Sequence, residues 1–174
     1  KTEENISIPA TDMEHYAEHP DVIFVCVKGY SLQETIPFIK RIARKNTIVI
    51  PVLNIYGTGG KMQKELPDLL VTDGCIYVSA NIKEPGKLLQ HGQILHIVFG
   101  VRDKAEFRPE LKEIQKDLCD SHIDGTLSEN IRREALEKFS YVSPIGAAGL
   151  YYHATAADFQ KEGEARELFK TMIK

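Results

Sequence analysis

Three segments decide the fold: Asp21-Val-Ile-Phe-Val-Cys-Val27, then Ser31-Leu-Gln-Glu-Thr-Ile-Pro-Phe-Ile-Lys-Arg-Ile-Ala-Arg44, then Thr47-Ile-Val-Ile-Pro-Val-Leu53. The outer two are almost wholly apolar and rich in β-branched residues, the pattern of strands buried on both faces of a parallel sheet. The middle one carries Leu32, Ile36, Ile39, Ile42 and Ala43 at helical spacing. Ser31 and Glu34 stand in a capping-box arrangement, and Pro37 inside the segment is a source of a kink. Strand, helix and strand in this order predict the right-handed crossover of α/β folds.

Working outward, residues 74–82 read as a strand, 83–86 as a turn, and 87–91 and 93–99 as two further strands separated by Gly92. That is an antiparallel meander added to the parallel core. Phe107, Leu111, Ile114 and Leu118 predict a helix over 106–119, and 121–126 reads as a linker. A long helix is expected from Ser128 to Gly146 with a capping pattern at its start, and a last one from Lys161 to Lys174. The expected class is therefore α/β: a partial parallel sheet with added antiparallel strands, followed by helices. A sheet of two or three parallel strands leaves edges unpaired, which favours self-association.

Composition narrows the function. A net charge of −3 and a pI near 6.1 exclude broad electrostatic binding to nucleic acid or to an anionic membrane. The longest apolar runs, 22–27 and 48–53, fall far short of the roughly 20 residues a membrane span needs. The opening Lys1-Thr2-Glu3-Glu4 has no apolar segment behind it, and three cysteines without a CxxC pair suit reduced thiols. The expected location is the cytoplasm. Cys26 and Cys75, in strand-like runs, are expected to be buried and inert.

The residues able to carry chemistry are few. Asn54-Ile-Tyr-Gly-Thr-Gly-Gly-Lys61 follows the carboxyl end of a buried strand, where α/β folds bind ligands. It is not a P-loop, and GxGxxG does not occur in the chain. Lys28, at the end of the preceding strand, is expected to face the same crevice. On a helical wheel with Ile131 at 0°, Lys138 falls at about 340°, beside Val142 at about 20° and away from Glu137 at about 240°. A lysine on an apolar helix face either snorkels or enters a cleft, where desolvation lowers its pKa and suits it to acid–base work. His15 and His19 are four residues apart but lie in a Glu-rich stretch cut by Pro20, and no metal site is expected.

The order Asp21-to-Lys28 strand, Val-Leu-Asn54 strand end, Ala80 with Glu84-Pro-Gly86, His91-Gly92, Phe99-Gly100, then a helix bearing Lys138 resembles the ketopantoate reductase (2-dehydropantoate 2-reductase) family over roughly residues 21–160. The resemblance implies a partial Rossmann-like domain with added antiparallel strands over residues 1–127, the start of an all-α C-terminal domain over 128–174, and NADPH-dependent reduction of a 2-keto acid between them. It implies that Lys28, Asn54 and Ala80 line the cofactor, and that Lys138 binds the substrate and acts as general acid. It also implies a dimer or other homo-oligomer. Measured against it, the chain starts about one βαβ unit late and ends before the family's last helices. Ile55 stands where the family has glycine, Leu136 where it has an aromatic, and Val142 where it has a substrate-binding asparagine, so Ser143 is the expected substitute. A second reading, a binding or assembly module that kept the fold without the pyrophosphate loop, is separated from the first by whether GxGxxG precedes this chain.

Overall fold

The computed structural model describes residues 8–173. The opening Lys1-Thr2-Glu3-Glu4 and the expected helix end at Lys174 lie outside the described residues.

Strand β1 (Val22–Val25), helix α1 (Leu32–Ile42) and strand β2 (Ile48–Pro51) form the predicted crossover, followed by helix α2 (Thr58–Glu65) and the short strand β3 (Leu70–Val71). The three strands are parallel in the order β1-β2-β3, with Val22 opposite Ile48 and Ile48 opposite Leu70. Strand β2 is buried on both faces, which is why its sequence shows no alternation. Val49 packs with Ile36 and Ile39 of α1 and Met62 of α2. Ile48 and Ile50 pack with residues of the second sheet and helix described below. Pro51 has no N–H for the ladder; the next bond is made by Val52, whose N–H donates to the Val25 carbonyl at 3.0 Å.

The second sheet is built on a long hairpin, β4 (Asp73–Glu84) and β5 (Lys87–Gly100), with β6 (Asp124–Leu127) parallel to β5. Pro85 and Gly86 turn the hairpin, and Gly86 takes φ 76°, as the third position of a type II turn requires. Helix α3 (Glu110–Asp120) lays Leu111, Ile114 and Leu118 against Ile97 and Phe99. Helix α4 (Ile131–Tyr152) crosses β4 and β5, and α5 (Glu164–Met172) packs on α4 through Tyr141 and Phe169, with ring centroids 5.7 Å apart. Among the described residues no helix is long and apolar enough to cross a membrane.

The α/β class and the mixed parallel and antiparallel pairing are as expected; several details differ. The glycine-rich stretch after Asn54 is not a plain turn: from Thr58 it is helix. Residues 87–100 form one strand, not two; Gly92 (φ 78°) sits in a bulge where residues 91–94 stand opposite Ser79 alone. The supposed linker 121–126 contains the start of β6, hidden from propensity by Asp124 and Gly125 and formed because β5 offers an edge. Helix α3 starts at Glu110, just after Pro109 at its N-cap. Ser31 makes no capping bond; α4 is capped by Asn130, whose side chain accepts from the Arg133 N–H, while Ser128 bonds Glu134. Helix α4 also runs past Gly146. Cys75 is buried, but Cys26 lies beyond the end of β1 and is exposed.

Gly59 shows how tightly α2 meets the turn into β4. A Cβ there would lie 2.0 Å from the Thr72 carbonyl oxygen and 2.3 Å from Asp73 Oδ1, whereas one at Gly60 meets only Arg102 Cδ at 3.9 Å. Urea denaturation should therefore separate the two. Gly59→Ala is expected to cost about 1–3 kcal/mol through overpacking, and Gly60→Ala to gain about 0.5–1 kcal/mol from helix propensity.

Candidate active site

The site forms where the carboxyl end of β2, the middle of β4 and one face of α4 meet. Asn54 follows the last buried residues of the β2 segment. Its loop is closed by Thr58, whose hydroxyl donates to the Ile55 carbonyl at 2.8 Å, and by Gly57 in the left-handed region at φ 75°. Helix α4 turns Ile131, Lys138, Pro144 and Ala148 inward. Lys138 is thus the one cation on its buried face, 9% exposed.

The Lys138 ammonium donates to Asn54 Oδ1 at 2.8 Å and to the Ile76 carbonyl, and lies 5.0 Å from the centre of the Tyr77 ring. Both hydrogen-bond acceptors are neutral, and among the described residues no carboxylate pairs with it. Burial therefore moves its pKa below the ordinary lysine value, opposed in part by attraction to the neighbouring Cys75 thiolate form. Burial likewise pushes the Cys75 thiol up, and the Lys138 charge pulls it part of the way back. The ammonium sits at the wall of an open groove of about 770 Å³. Val78, Ile94, Tyr141 and Val142 supply apolar surface to that groove, and Ser79, His91 and Gln93 supply polar groups. The β5 bulge is what aims residues 91–94 into it.

The structure thus brings Lys138 and Asn54 into direct contact. Lys28 ends the β1 segment, exposed, and its side chain makes no capping bond to the helical turn that follows. Its loop lies against that of Asn54, since a Cβ on Gly29 would fall 2.2 Å from Ile55 Cδ1. Ala80 is exposed on β4, opposite Gln90 at the edge of the bulge. Ser143 is exposed on α4 and does not line the groove; Val142 does. His15 bonds Asp12 and His19 bonds the Ile42 carbonyl, so the two imidazoles do not converge. Sequence reading gave Tyr77 no role, took Cys75 only as buried packing, and named His91 and Gly92 of the bulge only within the family's order of motifs. The alternation of β4 and the lone Gly92 were the available signals for them.

A family model described as ketopantoate reductase PanE/ApbA matches residues 1–104. The 2-dehydropantoate 2-reductase of Aquifex aeolicus (strain VF5) is 19% identical over 163 residues, 94% of this chain and 53% of that protein. The structure of a dimeric ketopantoate reductase from Staphylococcus aureus superposes with a TM-score of 0.75 at 22% identity, over 92% of this chain and 56% of that one. A complex of D-mandelate dehydrogenase with NADH gives 0.79 at 19% identity, over 88% and 51%. At these identities the likeness is one of fold, and the chain spans about half the length of the relatives it matches.

The desolvated lysine has a measurable consequence. Its lowered pKa means that the folded chain gives up this proton before the unfolded chain does, at 10.5. Stability from this group therefore rises with pH from the folded pKa up to the unfolded one, and the full burial cost applies below that window. A carbon-13 titration of the lysine ε-carbons is expected to show one lysine titrating below the rest. Lys138→Met is expected to remove both that signal and the rise in stability across the window.

Proposed function

Residues 1–104 make this chain a member of the ketopantoate reductase PanE/ApbA family, and from that premise we propose that the whole protein reduces a 2-keto acid with NADPH, 2-dehydropantoate being the first candidate substrate. The observation that carries the reading is the buried Lys138 ammonium, hydrogen-bonded only to neutral acceptors at the wall of a groove.

Lys28 and Asn54 fit a nucleotide cofactor. Among the described residues the Lys28 ammonium has no partner, and Asn54 accepts from Lys138 through its oxygen while its amide nitrogen makes no hydrogen bond. Both lie at the carboxyl ends of parallel strands, where cofactors bind in this class of sheet. Ala80 joins this assignment as a small side chain beside the bulge. When bound, a nicotinamide cofactor supplies the hydride. Lys138 has three N–H donors and uses two. The third orients the keto oxygen and passes its proton to it as the alkoxide develops. A lowered pKa eases that transfer, and the positive charge stabilises the oxyanion before the proton moves. Asn54 and the Ile76 carbonyl hold the amine still, so that no reorganisation is needed at the moment of reaction.

One observation favours a second substrate within the same reaction. Val142, Val78, Ile94 and Tyr141 make much of the groove wall apolar, beside the polar Ser79, His91, Gln93 and Glu137, and Ser143 does not line it. Such a wall suits a 2-keto acid with a branched or aromatic side chain better than a hydroxylated one. The ratio of kcat/KM for 2-dehydropantoate against phenylglyoxylate and 4-methyl-2-oxopentanoate decides between them.

Lys138→Ala in the whole protein is expected to lower kcat about 10²- to 10³-fold on the better substrate, with the far-ultraviolet circular dichroism unchanged. Lys138→Arg should not restore turnover, because guanidinium does not release its proton. Native turnover in Lys138→Ala would refute the acid assignment.

A further inference from the structure

We infer that Tyr77 is a positioning residue that fixes the Lys138 ammonium for proton donation; this rests on the reading of Lys138 as the acid. Two acceptors, Asn54 Oδ1 and the Ile76 carbonyl, set two of the three N–H directions. They leave the end of a long, flexible side chain free to pivot about the line between them. The Tyr77 ring closes that freedom. Its centre is 5.0 Å from Nζ, within the range over which an aromatic ring attracts a cation.

The ring is itself held in place. Tyr77 stands directly opposite His96 across the β4–β5 ladder, and the two rings stack with centroids 5.5 Å apart and planes 22° from parallel. His96 Nε2 is 3.1 Å from Thr126 Oγ1 on β6. A lateral brace therefore runs across all three strands of the second sheet, from Thr126 through His96 and Tyr77 to the ammonium. Tyr77 is 37% exposed and belongs to none of the buried clusters, so its truncation leaves the core intact.

The test compares Tyr77→Leu and Tyr77→Phe in the whole protein, each with native Lys138 and with Lys138→Ala. Tyr77→Leu is expected to lower kcat about tenfold, with the KM for the keto acid within about twofold, the size of a lost cation–π contact at a partly desolvated site. Tyr77→Phe restores the ring and is expected to recover most of that loss. In the Lys138→Ala background Tyr77→Leu should cost nothing further, because the ring acts through the amine. In the 174-residue chain, the Lys138 ε-protons are expected to show a ring-current shift that Tyr77→Leu abolishes and Tyr77→Phe keeps. An equal loss in both Lys138 backgrounds, or a Phe variant as slow as the Leu variant, would overturn the inference. Native turnover in Lys138→Ala would overturn the acid assignment, and this inference with it, while the ring-current shift still reported the contact.

Discussion

A positive charge buried without a negative one is the constraint around which this chain is organised. Taking an ammonium out of water is costly unless its donors are met. Lys138 meets its cost with a side-chain amide 84 residues away in sequence, a main-chain carbonyl 62 residues away and an aromatic ring. A carboxylate would satisfy the charge more fully, but it would raise the pKa and hold the proton. Neutral acceptors hold the amine in position and leave its proton transferable. The same three contacts tie the end of β2, the middle of β4 and helix α4 to one point.

The remainder of the fold supplies rigidity to that point. Strand β2 is packed on both faces, so Asn54 leaves a strand end that cannot shift without disturbing two apolar clusters. Gly59 allows α2 to approach the Thr72 carbonyl and Asp73, which fixes the start of β4. There Asp73 faces Arg102 at 3.6 Å, both side chains about nine-tenths buried, and Arg102 also donates to Gln63 of α2. The β5 bulge then carries His91 and Ile94 into the groove opposite α4. Rigid elements thus hold the cation, while the groove wall is built from a bulge and an exposed helix face, where substitutions that alter substrate choice disturb the core least.

Much of this was legible in the sequence, for physical reasons that differ by element. Strand β2 announced itself because burial on both faces leaves only apolar residues; β1 reads the same way in sequence, although it is an edge strand on which Phe24 is exposed. Helix α1 announced itself because one face is buried and the other wet. Lys138 could be picked out because a charge on the apolar side of a wheel contradicts the pattern around it. Helix α2 was hidden because its first turn holds Gly59 and Gly60, poor helix formers, of which Gly59 is kept there by close packing. Strand β6 was hidden because Asp124 and Gly125 are strand residues only by virtue of the edge beside them. Tyr77 was invisible as a partner of Lys138, since that contact depends on the β4–β5 register and on where α4 crosses. Lys28 was named from its place at a strand end and Ala80 through family resemblance; the structure sets Lys28 beside the Asn54 loop and Ala80 beside the bulge.

The central claim is that the Lys138 ammonium is held, protonated and shielded, by Asn54 and Ile76. Its most direct test is nitrogen-15 detection of lysine ammonium groups in this chain near neutral pH, where exposed ammonium protons exchange with water too fast to be seen. The account predicts one slowly exchanging lysine signal, absent from Lys138→Met and weakened in Asn54→Ala. If every lysine ammonium exchanges at the rate of a free side chain, Lys138 lies in solvent and the account is wrong.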